Sequence, residues 1–92
     1  MLAPQAVQDL KNLGAHDRAA VRDAIEMHLR HQPTQTSKSR IKRLRGMSRP
    51  QFRLRVGEIR VFYDVAEKTV EVLAMVPKSI AAEWLEMAGS KL

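Results

Sequence analysis

Arg53, Arg55 and Arg60 lie in the stretch QFRLRVGEIRVFYDV, residues 51–65, where basic and apolar residues alternate on both sides of Gly57-Glu58. Alternation places Arg53 and Arg55 on one face of a strand, and Arg60 can lie beside them on the next strand. A guanidinium is a planar fork of N–H donors, so three of them converging on one spot suit an oxyanion such as a phosphate. They do not suit proton abstraction, because arginine keeps its proton up to a pH above about 12.

Other residues with chemical potential are less well placed. His16, His28 and His31 fall on or beside a helical stretch, away from the arginines, and His28 and His31 lack a third ligand and any cysteine, so no metal is expected. Glu58 belongs to a tight turn and reads as solvent-exposed, while Glu83 and Glu86 read as helix surface charges. Tyr63 alternates onto the face opposite Arg60 and reads as core. The run KSRIKRLRGMSR, residues 38–49, fits nucleic-acid backbone contact, docking of an acidic segment, or a solubilising loop. Backbone contacts from such residues are independent of base sequence and weaken with salt.

The elements that must position these groups follow from periodicity. Pro4 suits a first helical turn, and Ala6, Val7, Leu10 and Leu13 recur at helical spacing up to Gly14. AHDRAAVRDAIEMHLRHQP continues with Asp17 as an expected cap and Val21, Ile25 and Leu29 one turn apart, making a helical hairpin that Pro33 ends. PTQTSKSR reads as a loop, after which Ile41 and Leu44 act as anchors and Gly46 as a turn. Three strands are expected: FRLRV, IRVFYDV after the Gly57-Glu58 turn, and VEVLAMV after AEKT. Pro77 then ends the sheet, Ser79 is the expected cap, and IAAEWLEMA forms a terminal helix with Ile80, Trp84 and Ala88 on one side.

Composition narrows the class. Ninety-two residues make room for one domain, spanning 1–92, with one sheet and a few helices. No cysteine is present, which suits a reducing cytoplasm and leaves stability to the core alone. No apolar run approaches the roughly 18 residues of a membrane span, and MLAPQAVQDL lacks the pattern of a signal peptide, so a cytoplasmic protein without a membrane partner is expected. Residues 38–60 hold nine Lys or Arg against Glu58 alone, while the rest of the chain is slightly acidic, so the net charge of +6 is concentrated in one quarter of the length. That directional field fits a polyanion or an acidic partner segment.

The order helix, helix, three strands, helix, together with RLRGM, FRLRVGEIRVFYDV and VEVLAMVPKS, resembles the RelE/ParE superfamily of bacterial toxins from type II toxin–antitoxin systems over nearly the whole chain. The resemblance implies an α+β fold, with an N-terminal helical hairpin packed on a small twisted antiparallel sheet whose concave face carries the active groove. It also implies a cognate antitoxin as partner. For the RelE-like branch it implies metal-independent, cofactor-free cleavage of mRNA on the ribosome, with Arg53, Arg55, Arg60 and Lys78 at the catalytic positions and RNA contacts from Lys42, Arg43, Arg45, Arg49 and Trp84. Cleavage of this kind needs the 2′-hydroxyl deprotonated, the phosphorane charge stabilised and the 5′ oxygen protonated. Guanidinium groups serve the second need.

Two departures qualify that implication. The branch's basic residue after the last strand and its terminal tyrosine fall here at Ser79 and Leu85, with Lys78 and Trp84 one position away. Lys78 could reach a phosphate, and Trp84 either packs in the core or stacks on a base. The strand that usually opens the fold is reduced to Met1-Leu2. Alternatives are therefore a ParE-like inhibitor that binds DNA gyrase, and a residual toxin fold that mainly binds its antitoxin and co-represses their operon.

Overall fold

The computed structural model describes residues 1–92 and shows helices α1 (Pro4–Asn12) and α2 (Ala15–Ala24), the latter extended by a π-helical turn over Ile25–Leu29. Strands β1 (Ile41–Arg43), β2 (Met47–Arg49), β3 (Phe52–Val56), β4 (Ile59–Ala66) and β5 (Thr69–Pro77) follow. A 3-10 turn over Lys78–Ile80 leads into α3 (Ala81–Ala88), and β6 (Ser90–Lys91) ends the chain. Four strands form one antiparallel sheet in the order β1-β3-β4-β5, while β2 and β6 pair separately.

Helical spacing puts Ala6 and Leu10 of α1, then Val21 and Leu29, against the sheet face formed by Phe52, Leu54, Val61, Tyr63, Val72 and Met75. Each such buried aliphatic side chain contributes about 1.5–3 kcal/mol through removal from water. The helical hairpin is clamped by Arg18, which donates from Nε to the Leu10 carbonyl at 3.2 Å and from Nη2 to Lys11 at 3.2 Å and Leu13 at 2.8 Å. A cation from α2 thus satisfies carbonyls that the end of α1 leaves without helical partners. Asp9 docks α1 on the sheet by accepting the Met75 amide at 2.9 Å.

Two tight turns shape the meander. Gly57 takes φ +56° between β3 and β4, a conformation glycine adopts without a Cβ clash, and Glu67 takes φ +53° between β4 and β5. Leu73 has no cross-strand partner between the Phe62–Ala74 and Tyr63–Val72 pairs, so β5 bulges there. The bulge keeps Val72 and Met75 on the helix side while turning Ala74 and Val76 to the other.

The opening strand is indeed vestigial: Leu2 forms a single parallel bridge with Val72. The Met1 carbonyl accepts the Val72 amide and the Val72 carbonyl accepts the Ala3 amide, both at 2.9 Å, and the Met1 ammonium donates to the Val70 carbonyl at 3.0 Å. These bonds cover the outer edge of β5, leaving β1 as the free edge of the sheet.

Three expectations need correction. Residues 41–43 are a fourth strand of the sheet rather than a loop anchor, because Ile41, Lys42 and Arg43 pair with Leu54, Arg53 and Phe52. Helix α2 starts at Gly14 as N-cap, and the Asp17 side chain caps nothing. Ser79 does not cap α3 either, since the chain makes a 3-10 turn first and the N-cap is Ile80, itself exposed rather than on the packed side.

Candidate functional site

The sheet face opposite the helical hairpin is assembled by register. Lys42 stands beside Arg53, Arg53 beside Phe62, and Phe62 beside Ala74; one row along, Arg55 stands beside Arg60 and Arg60 beside Val76. The face therefore has two halves. Phe62, Ala74 and Val76 form a small second core covered by Leu44, Ala81, Trp84 and Leu85. Lys42, Arg53 and Arg55 form the half that α3 leaves uncovered, with Arg60 at the boundary.

Each arginine is held differently. Arg53 is partly buried and donates from Nη2 to the Ser39 carbonyl at 2.9 Å, while its Nε is buried without a partner. Burial first, and then the charges of Arg60 and Arg55, hold its pKa below the usual arginine value. Three like charges in mutual range make this face costly without an anion and favourable with one. Arg60 is only 8% exposed, and its Nη1 donates to the Gly57 carbonyl at 2.8 Å and the Ile59 carbonyl at 3.2 Å, so it braces the turn as well as facing Arg55. Arg55 is exposed. None of Lys42, Arg53, Arg55, Arg60 or Lys78 forms an ion pair with a carboxylate.

Lys78 lies where β5 gives way to the 3-10 turn, and its amide donates to the Glu58 carbonyl at 2.7 Å. This bond brings the Lys78 backbone beside the β3–β4 turn, and its side chain is exposed. Ser79 is exposed, and Leu85 packs against the second core. Tyr63 is on the far side of the sheet, fully buried, donating to the Pro33 carbonyl at 2.6 Å, and burial pushes its phenol well above the ordinary tyrosine value. No three His, Asp or Glu side chains are grouped to hold a metal ion.

The expected nucleic-acid contacts divide. Lys42 joins the arginine face, and Arg45 is exposed in the turn ahead of Gly46. Arg43, one residue on from Lys42, alternates to the opposite face and lies over the Phe52 ring at 5.1 Å from its centroid. Arg49 is not a free cation: it pairs with Asp64 and Glu71, each at 3.3 Å, while Asp64 also accepts the Gln51 amide at 2.7 Å. Trp84 stacks on Phe62, with centroids 4.9 Å apart and planes 5° from parallel, so the ring fills the second core instead of offering itself to a base. The sequence reading missed Arg40, whose carbonyl accepts the Arg55 amide at 2.8 Å. Its place at the head of β1 is set by the pairing with β3, for which so short a strand gives little local signal.

Residues 1–79 match the family described as the ParE toxin of the type II toxin–antitoxin system, parDE. Among solved structures, the RelB-RelE antitoxin–toxin complex from Methanococcus jannaschii contains a similar chain, with a TM-score of 0.72 at 23% identity over 91% of this chain and 96% of that one. The archaeal RelE-RelB complex from Pyrococcus horikoshii OT3 contains another, with a TM-score of 0.69 at 24% identity over 87% of this chain and 93% of that one. At such identities the likeness is one of fold. No curated protein sequence matches the chain.

Proposed function

This chain belongs to the ParE toxin family of type II toxin–antitoxin systems, and from that premise we propose that it acts by binding its target rather than by cutting it, and that a cognate antitoxin neutralises it. The observation that carries this reading is the make-up of the open face. Its cations lack carboxylate partners, yet no histidine or phenol stands among them, Glu58 is exposed in the turn at their end, and the Asp64 carboxylate is engaged by Arg49 and the Gln51 amide. Such a face can neutralise phosphate or carboxylate charge, but it has no base suited to deprotonating a ribose hydroxyl. The target in this reading is DNA gyrase in the cytoplasm, as in the ParE-like alternative. A supercoiling assay with purified protein tests it: inhibition with accumulation of cleaved DNA is expected, and unimpeded supercoiling at excess toxin refutes it.

A second reading, ribosome-dependent mRNA cleavage, is favoured by one observation, the unpartnered Arg53 Nε beside Arg55 and Arg60, with Lys78 bonded through its backbone to the adjoining turn. In this reading the guanidinium groups stabilise the in-line phosphorane and Lys78 donates to the leaving 5′ oxygen, while the ribosome or substrate supplies the base. Mapping mRNA ends on programmed ribosomes decides it. New A-site ends that vanish with Arg53→Ala support cleavage, and intact mRNA excludes it.

A further inference from the structure

A pocket of about 200 Å³ opens between the π-helical turn at the end of α2 and the segment that leads into β1, on the free-edge side of the sheet. His28, Gln32, Gln35, Thr36, Ser37 and Arg40 supply its polar walls, and Ile41 is its one apolar contributor. We propose that this pocket binds a phosphate group, free or as a phosphomonoester, between Arg40 and His28.

Charge and donor count point the same way. The lining contains one permanent cation, one histidine and no carboxylate, and Arg40 makes no ion pair. A wall of guanidinium, amide and hydroxyl groups without an acid matches an oxyanion and excludes a cation. The loop is held in shape by its own backbone, with the Gln35 amide donating to the Gln32 carbonyl at 3.2 Å and the Ser37 amide to the Ile41 carbonyl at 2.9 Å. Ser37 Oγ accepts the amides of Arg40 at 2.9 Å and Ile41 at 3.2 Å, so its single proton remains to be donated.

His28 supplies the coupling. Burial, and then the charge of Arg40, hold its pKa below the ordinary histidine value, so near neutrality the empty pocket contains a neutral imidazole facing a cation. On its own helix, Glu26 and Arg30 pair with each other at 2.8 Å, and within the pocket Arg40 is the only other charged group. An anion between Arg40 and His28 would reverse the effect, favouring imidazolium and gaining a second charge-assisted donor. Binding is therefore linked to proton uptake at His28. A single turn of π-helix sets the ring's position in the wall, and such turns recur at functional sites.

The pocket shares no lining residue with Lys42, Arg53, Arg55 or Arg60, and it does not depend on what the toxin inhibits. The test follows the His28 ring resonances of the whole chain by NMR across pH, without and with inorganic phosphate, with sulfate as a dianion of constant charge, and with a nucleoside 5′-monophosphate. Phosphate and sulfate should each raise the His28 midpoint by about one unit, corresponding to about tenfold tighter binding to the protonated form. Arg40→Gln, at an exposed position, should abolish the shift, while Arg53→Gln should leave it unchanged. A larger shift with the nucleotide than with phosphate identifies the phosphomonoester as ligand; equal shifts identify the free ion. Unmoved His28 resonances at millimolar concentrations of all three anions, or an undiminished shift in Arg40→Gln, overturn the proposal.

Discussion

Replacing Trp84 by alanine separates two roles that a surface-facing tryptophan in a toxin of this fold can have. In the structure its ring lies flat on Phe62, which is 1% exposed, and together with Ala81 and Leu85 it closes the second core. Truncating a fully buried Trp costs about 3–5 kcal/mol. Trp84 is mostly but not fully buried, so somewhat less than that applies, with the lost ring pair on Phe62 included. The loss, about 2–4 kcal/mol, is a large part of the roughly 5–14 kcal/mol expected of a chain this size. At about 4–8 °C per kcal/mol, Trp84→Ala should melt on the order of 10–30 °C lower by circular dichroism, and Trp84→Phe should recover most of the loss. Affinity for a single-stranded oligonucleotide, measured below both melting transitions, should be unchanged. A variant that melts with the wild type but binds the oligonucleotide much more weakly would show that the indole is a base platform and that α3 is not packed as described.

Three further outcomes are expected. Arg53→Ala should reduce the slope of log affinity against log salt for a nucleic acid by about 0.7–0.9, the loss of one phosphate contact, whereas Arg49→Ala should leave that slope unchanged because its charge is already paired. Tyr63 is neutral in both folded and unfolded states below pH about 10; above it the unfolded chain ionises first, so wild-type stability should fall by up to about 1.4 kcal/mol per pH unit relative to Tyr63→Phe, as urea titrations across pH 9–11 can measure. Gly89→Ala should lower the melting temperature, because its new Cβ would meet Met47 Cε and lie 2.6 Å from the Leu85 carbonyl oxygen, a misfit worth about 1–3 kcal/mol; melting together with the wild type refutes the close packing there.

What could be read from residues alone was whatever depends on near neighbours. Val21, Ile25 and Leu29 mark a helix face by spacing, Gly57 marks its turn, and Phe52, Leu54 and Val56 mark one side of a strand, all without knowledge of the partner. Ile41–Arg43 escaped because three residues with two exposed cations give almost no alternation, and the pairing with β3 supplies what the local pattern lacks. The ribbon of β2 and β6 is polar and mostly exposed, so no apolar period announces it. The surroundings of Arg49, and the choice between core and base for Trp84, turned on neighbours of the same kind. Their types suit nucleic acid, but Asp64, Glu71 and Phe62 reach them first, and only the fold reveals which groups are close enough to compete.

The β2–β6 ribbon joins residues far apart in the chain, with Met47 opposite Lys91, Arg49 opposite Ser90, and the Leu92 amide donating to the Gly46 carbonyl at 2.9 Å. The β3–β4–β5 meander, by contrast, closes through turns only a few residues long. Forming the ribbon therefore closes a much longer loop than either turn of the meander, so on refolding the meander should pair first. Until α3 docks, Phe62, Ala74 and Val76 lack the cover that Ala81, Trp84 and Leu85 supply. A partly folded chain thus presents an apolar stripe next to its arginines, a surface that the folded chain hides beneath α3.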